Sequence, residues 1–109
     1  KANPEMVRGF VRAALRGWKD ALANPEEAAR IQTQYLKALD PQIIVDELKI
    51  LRRIAVNQEV TDKGFGTMNL EKMRRSVEFI NNNVEVTGTK LTAEGILAEG
   101  YLPNPAIKP

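Results

Sequence analysis

The chain has 109 residues, 43% of them hydrophobic and 28% charged, with a net charge of +2. That length suits one domain or one piece of a larger one, and the balance fits a folded chain with a modest core and not a disordered one. It holds no Cys and no His, which removes disulfides, thiolate nucleophiles, Cys-based metal sites, the usual metal ligand and the usual general base together. No cofactor, metal site or catalytic residue is therefore expected.

The first segment, Pro4 to about Leu22, reads as a helix. Val7, Phe10, Val11, Ala14, Leu15, Trp18 and Leu22 recur with the spacing of one helical face. Arg8, Arg12, Arg16 and Lys19 follow another, so residues 1–22 carry five basic against two acidic side chains. Such a face reads as solvated, the alternative being contact with nucleic acid or anionic lipid. Gly9 and Gly17 cost helix propensity and predict a close neighbour, unless they are simply tolerated. Trp18 and Tyr35, both on apolar stripes, are expected in the core.

A second helix is predicted from Asn24-Pro25-Glu26-Glu27 to about Leu39, with Ala28, Ile31, Tyr35 and Leu39 as its stripe. Asp40-Pro41 starts a third, through Ile43, Ile44, Leu48, Leu51 and Ala55. Val45, Ile50 and Ile54 make that helix apolar on several sides, which predicts burial against more than one neighbour. Asn57 to Met68 reads as a linker. A fourth helix begins at Asn69 and carries Leu70, Met73, Val77 and Ile80. It is expected to end at Asn81-Asn82-Asn83, because Asn tolerates the left-handed conformation. Val84 to Thr89 has the alternation of a short strand. Thr92 should cap a last helical turn over Ala93–Glu99, and Tyr101 to Pro105 should be extended, since each residue before Pro avoids the helical region. The fold class is all-α, with four to five helices.

Asn-Pro-Glu occurs twice, at 3–5 and 24–26, and both copies read as helix starts. Asn accepts a backbone N–H, Pro fits the first helical position, and Glu favours the positive end of the helix dipole. Asp40-Pro41 and Asn69-Leu70-Glu71 are variants of the same device.

Other motifs carry little chemistry. Gly64-Phe65-Gly66 lacks the preceding strand of a phosphate-cradling loop. Neighbouring carboxylates such as Glu26/Glu27 and Asp46/Glu47 do not share a helix face. Arg52-Arg53 and Arg74-Arg75 read as surface charge and not as anion clamps. The tight turn at Ala23-Asn24 would suit a helix-turn-helix, but Pro-Glu-Glu at the tip of the second helix would repel phosphate, so no nucleic-acid partner is expected.

Asn3 to Ala13, Gly17-Trp18 and Ala21 to Ala28 together resemble the C-terminal region of solute-binding proteins of ABC importers. The branch is the one that binds thiamine pyrimidine precursors, nitrate, sulfonates and taurine. Gly64 to Asn69 and the closing Gly100-Tyr101-Leu102-Pro103 are similar to the same family. The resemblance implies a parent of two-lobed α/β, type II periplasmic binding protein fold, in which residues 1–109 form the C-terminal helical portion as a single unit. It implies capture of a small ligand (a pyrimidine, a sulfonate or similar), delivery to an ABC permease, no catalysis, and a periplasmic or extracytoplasmic membrane-anchored location. The opening on Lys1 agrees with a piece of a longer protein. The family branch that makes the pyrimidine itself relies on His and a Cys-rich stretch, and this chain has neither residue type.

If any part of this chain reaches the ligand, the linker is the choice. Gly64, Phe65 and Gly66 permit close backbone approach, and Lys63 and Thr67 offer polar contacts; the alternative is an ordinary surface loop. The alternative function is a stand-alone helical protein-interaction module. Expressed alone, the chain is expected to self-associate through uncovered apolar surface.

Overall fold

A computed structural model describes residues 3–84 and 88–109. Six helices follow one another: α1 (Pro4–Ala23), α2 (Pro25–Tyr35), α3 (Pro41–Ala55), α4 (Gln58–Lys63), α5 (Leu70–Asn83) and α6 (Ala93–Ile96). No strand occurs among the described residues, so the chain is all-α. Of the stretch Val84 to Thr89, read from sequence as a strand, residues 85–87 lie outside the described residues.

The helix starts are built as the sequence dictates. Asn3 Oδ1 accepts the Met6 N–H at 3.0 Å, Asn24 that of Glu27 at 3.1 Å, Asp40 that of Gln42 at 2.8 Å and Asn69 that of Lys72 at 3.0 Å. Pro4, Pro25 and Pro41 open their helices, where a missing N–H has no intrahelical partner to lose. Asn57 caps α4 and Thr92 caps α6 in the same way. Asn24→Ala should therefore cost about 1 kcal/mol in urea unfolding, with the loss confined to the α1–α2 corner in amide exchange.

Three boundaries differ from the sequence reading. The supposed linker contains α4, whose short length gives no apolar periodicity. Its stabilisers are local: the Asn57 cap, a Gln58–Asp62 hydrogen bond of 2.9 Å and a Lys63–Glu59 pair of 3.3 Å. Helix α2 stops at Tyr35 instead of Leu39, because the chain must turn before the restricted Asp40-Pro41 step to lay α3 back on α2. The last helix is one turn, ending at Ile96 and not Glu99. Helix α5 does end at Asn83, but without a left-handed Asn. Val84 is extended, and the Asn83 side chain instead donates to the Phe79 carbonyl at 2.8 Å.

Two compact units result, Lys1–Thr67 with Leu102–Pro109, and Met68–Tyr101. The first has a core of Leu22, Ala29, Ile44, Val45, Leu48 and Phe65, flanked by Leu15, Ala21, Ala28, Val56, Val60 and Ile107. The face of α2 that packs is the small one around Ala28 and Ala29, which lets α3 approach closely. The larger stripe read from sequence is left outside: Tyr35 is 82% exposed, and Ile31 and Leu39 are exposed too. Along α1, Leu22 is buried and Val11, Ala14, Leu15 and Ala21 are half-buried. Phe10 is 73% and Trp18 48% exposed, so neither aromatic stripe residue, Trp18 or Tyr35, is in the core. An added Cβ at Gly9 or Gly17 would meet nothing within 4 Å, so no close neighbour is found there among the described residues, and both glycines are tolerated. Helix α3 buries Ile44, Val45 and Leu48 while Ile43, Ile50 and Ile54 stay exposed. Arg52, read as surface charge, donates to the Leu22 carbonyl at 3.2 Å and so satisfies the open C-terminal end of α1.

The second unit is small. Val77 of α5 and Ala93 of α6 are its buried apolar residues. Asn81 holds the return of the chain by imitating a backbone pair: its amide donates to the Leu91 carbonyl at 2.8 Å and its oxygen accepts the Leu91 N–H at 3.1 Å. Arg74 donates twice to one carboxylate oxygen of Glu94, at 2.8 and 2.6 Å. These bonds hold the Glu94 carboxyl below its ordinary value, with a backbone hydrogen bond as the next cause. Because the folded value is depressed, the contribution is complete above the ordinary glutamate range and disappears as pH falls through the folded value. The Glu94 carboxyl followed by NMR should titrate below an ordinary glutamate, and Arg74→Ala should move its midpoint upward. An unmoved midpoint would show that the pair does not persist in solution.

Candidate functional site

The segment Lys63–Thr67 leaves α4 and meets the C-terminal tail. Gly64 has φ 100° and ψ 166°, a region that essentially only glycine occupies. An alanine Cβ there would lie 2.9 Å from the Ala106 Cβ and 3.0 Å from the Ile107 carbonyl oxygen. Next, the Phe65 N–H donates to that same Ile107 oxygen at 2.8 Å, while its ring enters the core of the first unit. Gly66, with φ 83°, faces Leu102 and Leu15 so closely that a Cβ would come within 2.8 Å of the Leu102 side chain. The Thr67 hydroxyl donates to the Gly64 carbonyl at 2.8 Å and tightens the loop. Lys63 is exposed and paired with Glu59.

The close backbone approach that two glycines signal in the sequence is thus made by the tail, residues 102–107. Four of the five residues singled out there (Gly64, Phe65, Gly66 and Thr67) have contacts of their own within the first unit. Lys63 alone points to solvent with only a surface ion pair, an interaction of small worth that is readily exchanged.

A second feature lies on the basic face of α1, whose sequence reading was a solvated surface or a contact face. Arg12, Arg16 and Lys19 of α1, with the tail segment Pro103–Lys108, line a groove of about 390 Å³. The i, i+4, i+7 spacing places the three cations on one side of the helix over a rise of about 10 Å. No acidic side chain lines it. Other cations of the chain are paired, as in Arg30–Glu27, Lys49–Glu26 and Arg74–Glu94. The basic periodicity was legible in the sequence; the returning tail, some ninety residues later, was not.

Among the described residues, no group of three or more Asp, Glu, His or Cys is placed to hold a metal ion. Nor is any described helix long and apolar enough to cross a membrane.

Comparison with known proteins adds two findings. Residues 1–28 match a family described as NMT1/THI5 like. That stretch is α1, its cap, and the start of α2 with the second Asn-Pro-Glu. The chain is also similar to the riboflavin-binding protein RibY of Chloroflexus aurantiacus, with 34% identity over 85 residues, covering 72% of this chain and 23% of the relative. The chain therefore spans about a quarter of that relative's length. No solved structure matches it. Both findings relate the chain to ligand-binding proteins of solute-binding type, and its own fold is all-α.

Proposed function

We propose that this chain is the C-terminal portion of an extracytoplasmic solute-binding protein, a two-lobed α/β protein of the type II periplasmic binding fold. Such a protein captures a small ligand and presents it to the permease of an ABC importer; it is not an enzyme. The observation that carries this reading is the 34% identity to a riboflavin-binding protein, sustained over 85 residues. The match of residues 1–28 to the NMT1/THI5-like family agrees with it. So does the apolar surface of α1 and α3, which this chain leaves uncovered and a larger body would bury. The ligand class proposed is a small heteroaromatic or anionic solute: a riboflavin-like molecule, a pyrimidine or a sulfonate. Within the loop Lys63–Thr67, Lys63 is the side chain proposed to reach the ligand, with Gly64, Phe65, Gly66 and Thr67 holding its backbone in place.

The same exposed apolar residues favour one other reading, a stand-alone helical module that binds a protein partner through a helix face. The gene separates the two. Transport predicts α/β sequence and a secretion signal in frame upstream of Lys1; a start codon immediately before Lys1 would contradict it.

Produced alone, residues 1–109 should self-associate and bind a hydrophobic dye, because Phe10, Tyr35 and Ile54 are each at least 70% exposed. Sedimentation showing a dye-silent monomer at micromolar concentration would contradict this.

A further inference from the structure

We propose that the groove between α1 and the C-terminal tail binds a small polyanion carrying two or more phosphate groups. Four observations combine. Arg12, Arg16 and Lys19 are consecutive on one helix side, and Lys108 adds a fourth cation from the tail. Among the described residues none of these four forms an ion pair, so their charge is not compensated within the chain. No acidic residue lines the groove, so a polyanion entering it meets no like charge. Its volume of about 390 Å³ is that of a small-molecule site.

The chemistry of the lining selects the ligand class. Arginine presents a planar fork of donors that matches phosphate oxygens in pairs, and lysine adds a point charge. A single monoanion would leave most of this charge uncompensated. Two phosphate groups set apart along the roughly 10 Å between Arg12 and Lys19 would compensate it. The Asn104 side chain supplies a neutral polar group at the rim, and Pro103 and Pro105 offer no backbone N–H. A nucleic-acid strand is disfavoured because no aromatic side chain lines the groove for base stacking. The groove is lined wholly by residues of this chain.

Calorimetric titration of the full polypeptide with inorganic tripolyphosphate at low ionic strength tests it. The expected result is saturable one-to-one binding, weakened at least about tenfold in R12Q/R16Q and weakened also in K19Q. Arg53→Gln, an exposed cation outside the groove, should leave it unchanged. All these side chains are exposed, so the thermal melts should coincide. A parallel arm uses phosphatidylglycerol vesicles. Absence of saturable binding, equal binding by R12Q/R16Q, or binding to vesicles without a response to tripolyphosphate would each overturn the proposal.

Discussion

Gly64→Ala should destabilise the first unit by about 3 kcal/mol, the combined effect of a backbone conformation reserved for glycine and a Cβ forced against neighbouring atoms. The neighbours decide the size of the effect. One is the Ile107 carbonyl, held by the Phe65 N–H, and backbone cannot swing aside as a side-chain tip can. At Gly66 the obstacle is the end of the Leu102 side chain, so Gly66→Ala should cost less despite its positive φ. The opposite sign is expected at Gly9, where a methyl meets open space in a helix: Gly9→Ala should stabilise residues 1–109 by up to about 1 kcal/mol. Urea unfolding gives the energies, and faster exchange of the Phe65 amide in Gly64→Ala would locate the damage at the tail contact. A Gly64→Ala protein within about 0.5 kcal/mol of the parent, a surface-like value, would refute the clasp between loop and tail.

Phe65→Ala should cost about 3–5 kcal/mol, the usual range for emptying an aromatic site in a core. A chain of this size has about 5–15 kcal/mol of stability in all, so most of the margin would be lost. Phe65 is the one large aromatic in a core otherwise made of Leu, Ile, Val and Ala, and it joins α4 and the tail to the α1–α3 cluster. Phe65→Leu, which keeps most of the volume, should recover much of the loss. Were Phe65 chiefly a ligand contact instead, Phe65→Ala would weaken ligand binding while leaving the melting temperature near that of the parent.

Local chemistry was the legible part of this sequence. Asn3, Asn24, Asp40 and Asn69 each announce a helix start, and each accepts the backbone N–H that its position requires. Non-local contacts were not legible. Nothing near Gly64 indicates that Ala106 and Ile107 will fill the space its missing Cβ leaves, because the partner lies some forty residues away. The stripe Ala28, Ile31, Tyr35 and Leu39 has helical period but is not the buried face; period identifies a helix, and neighbours decide which side is covered. Helix α4 escaped for the opposite reason, being too short for period, though Asn57 followed by Glu59 repeats the capping chemistry found elsewhere. The exposed apolar residues of α1 and α3 are where the sequence pattern and the contacts of the described residues disagree most visibly. That disagreement, with the identity to a riboflavin-binding relative, supports the proposed parent.

Thermal-shift titration of the full polypeptide with riboflavin, a thiamine pyrimidine precursor and a sulfonate tests the central proposal most directly. Saturable stabilisation by one of these solutes, amounting to about 2.7 kcal/mol at a hundredfold excess over its Kd, is the predicted result. A polypeptide whose melting temperature none of the three solutes moves at millimolar concentration would contradict it.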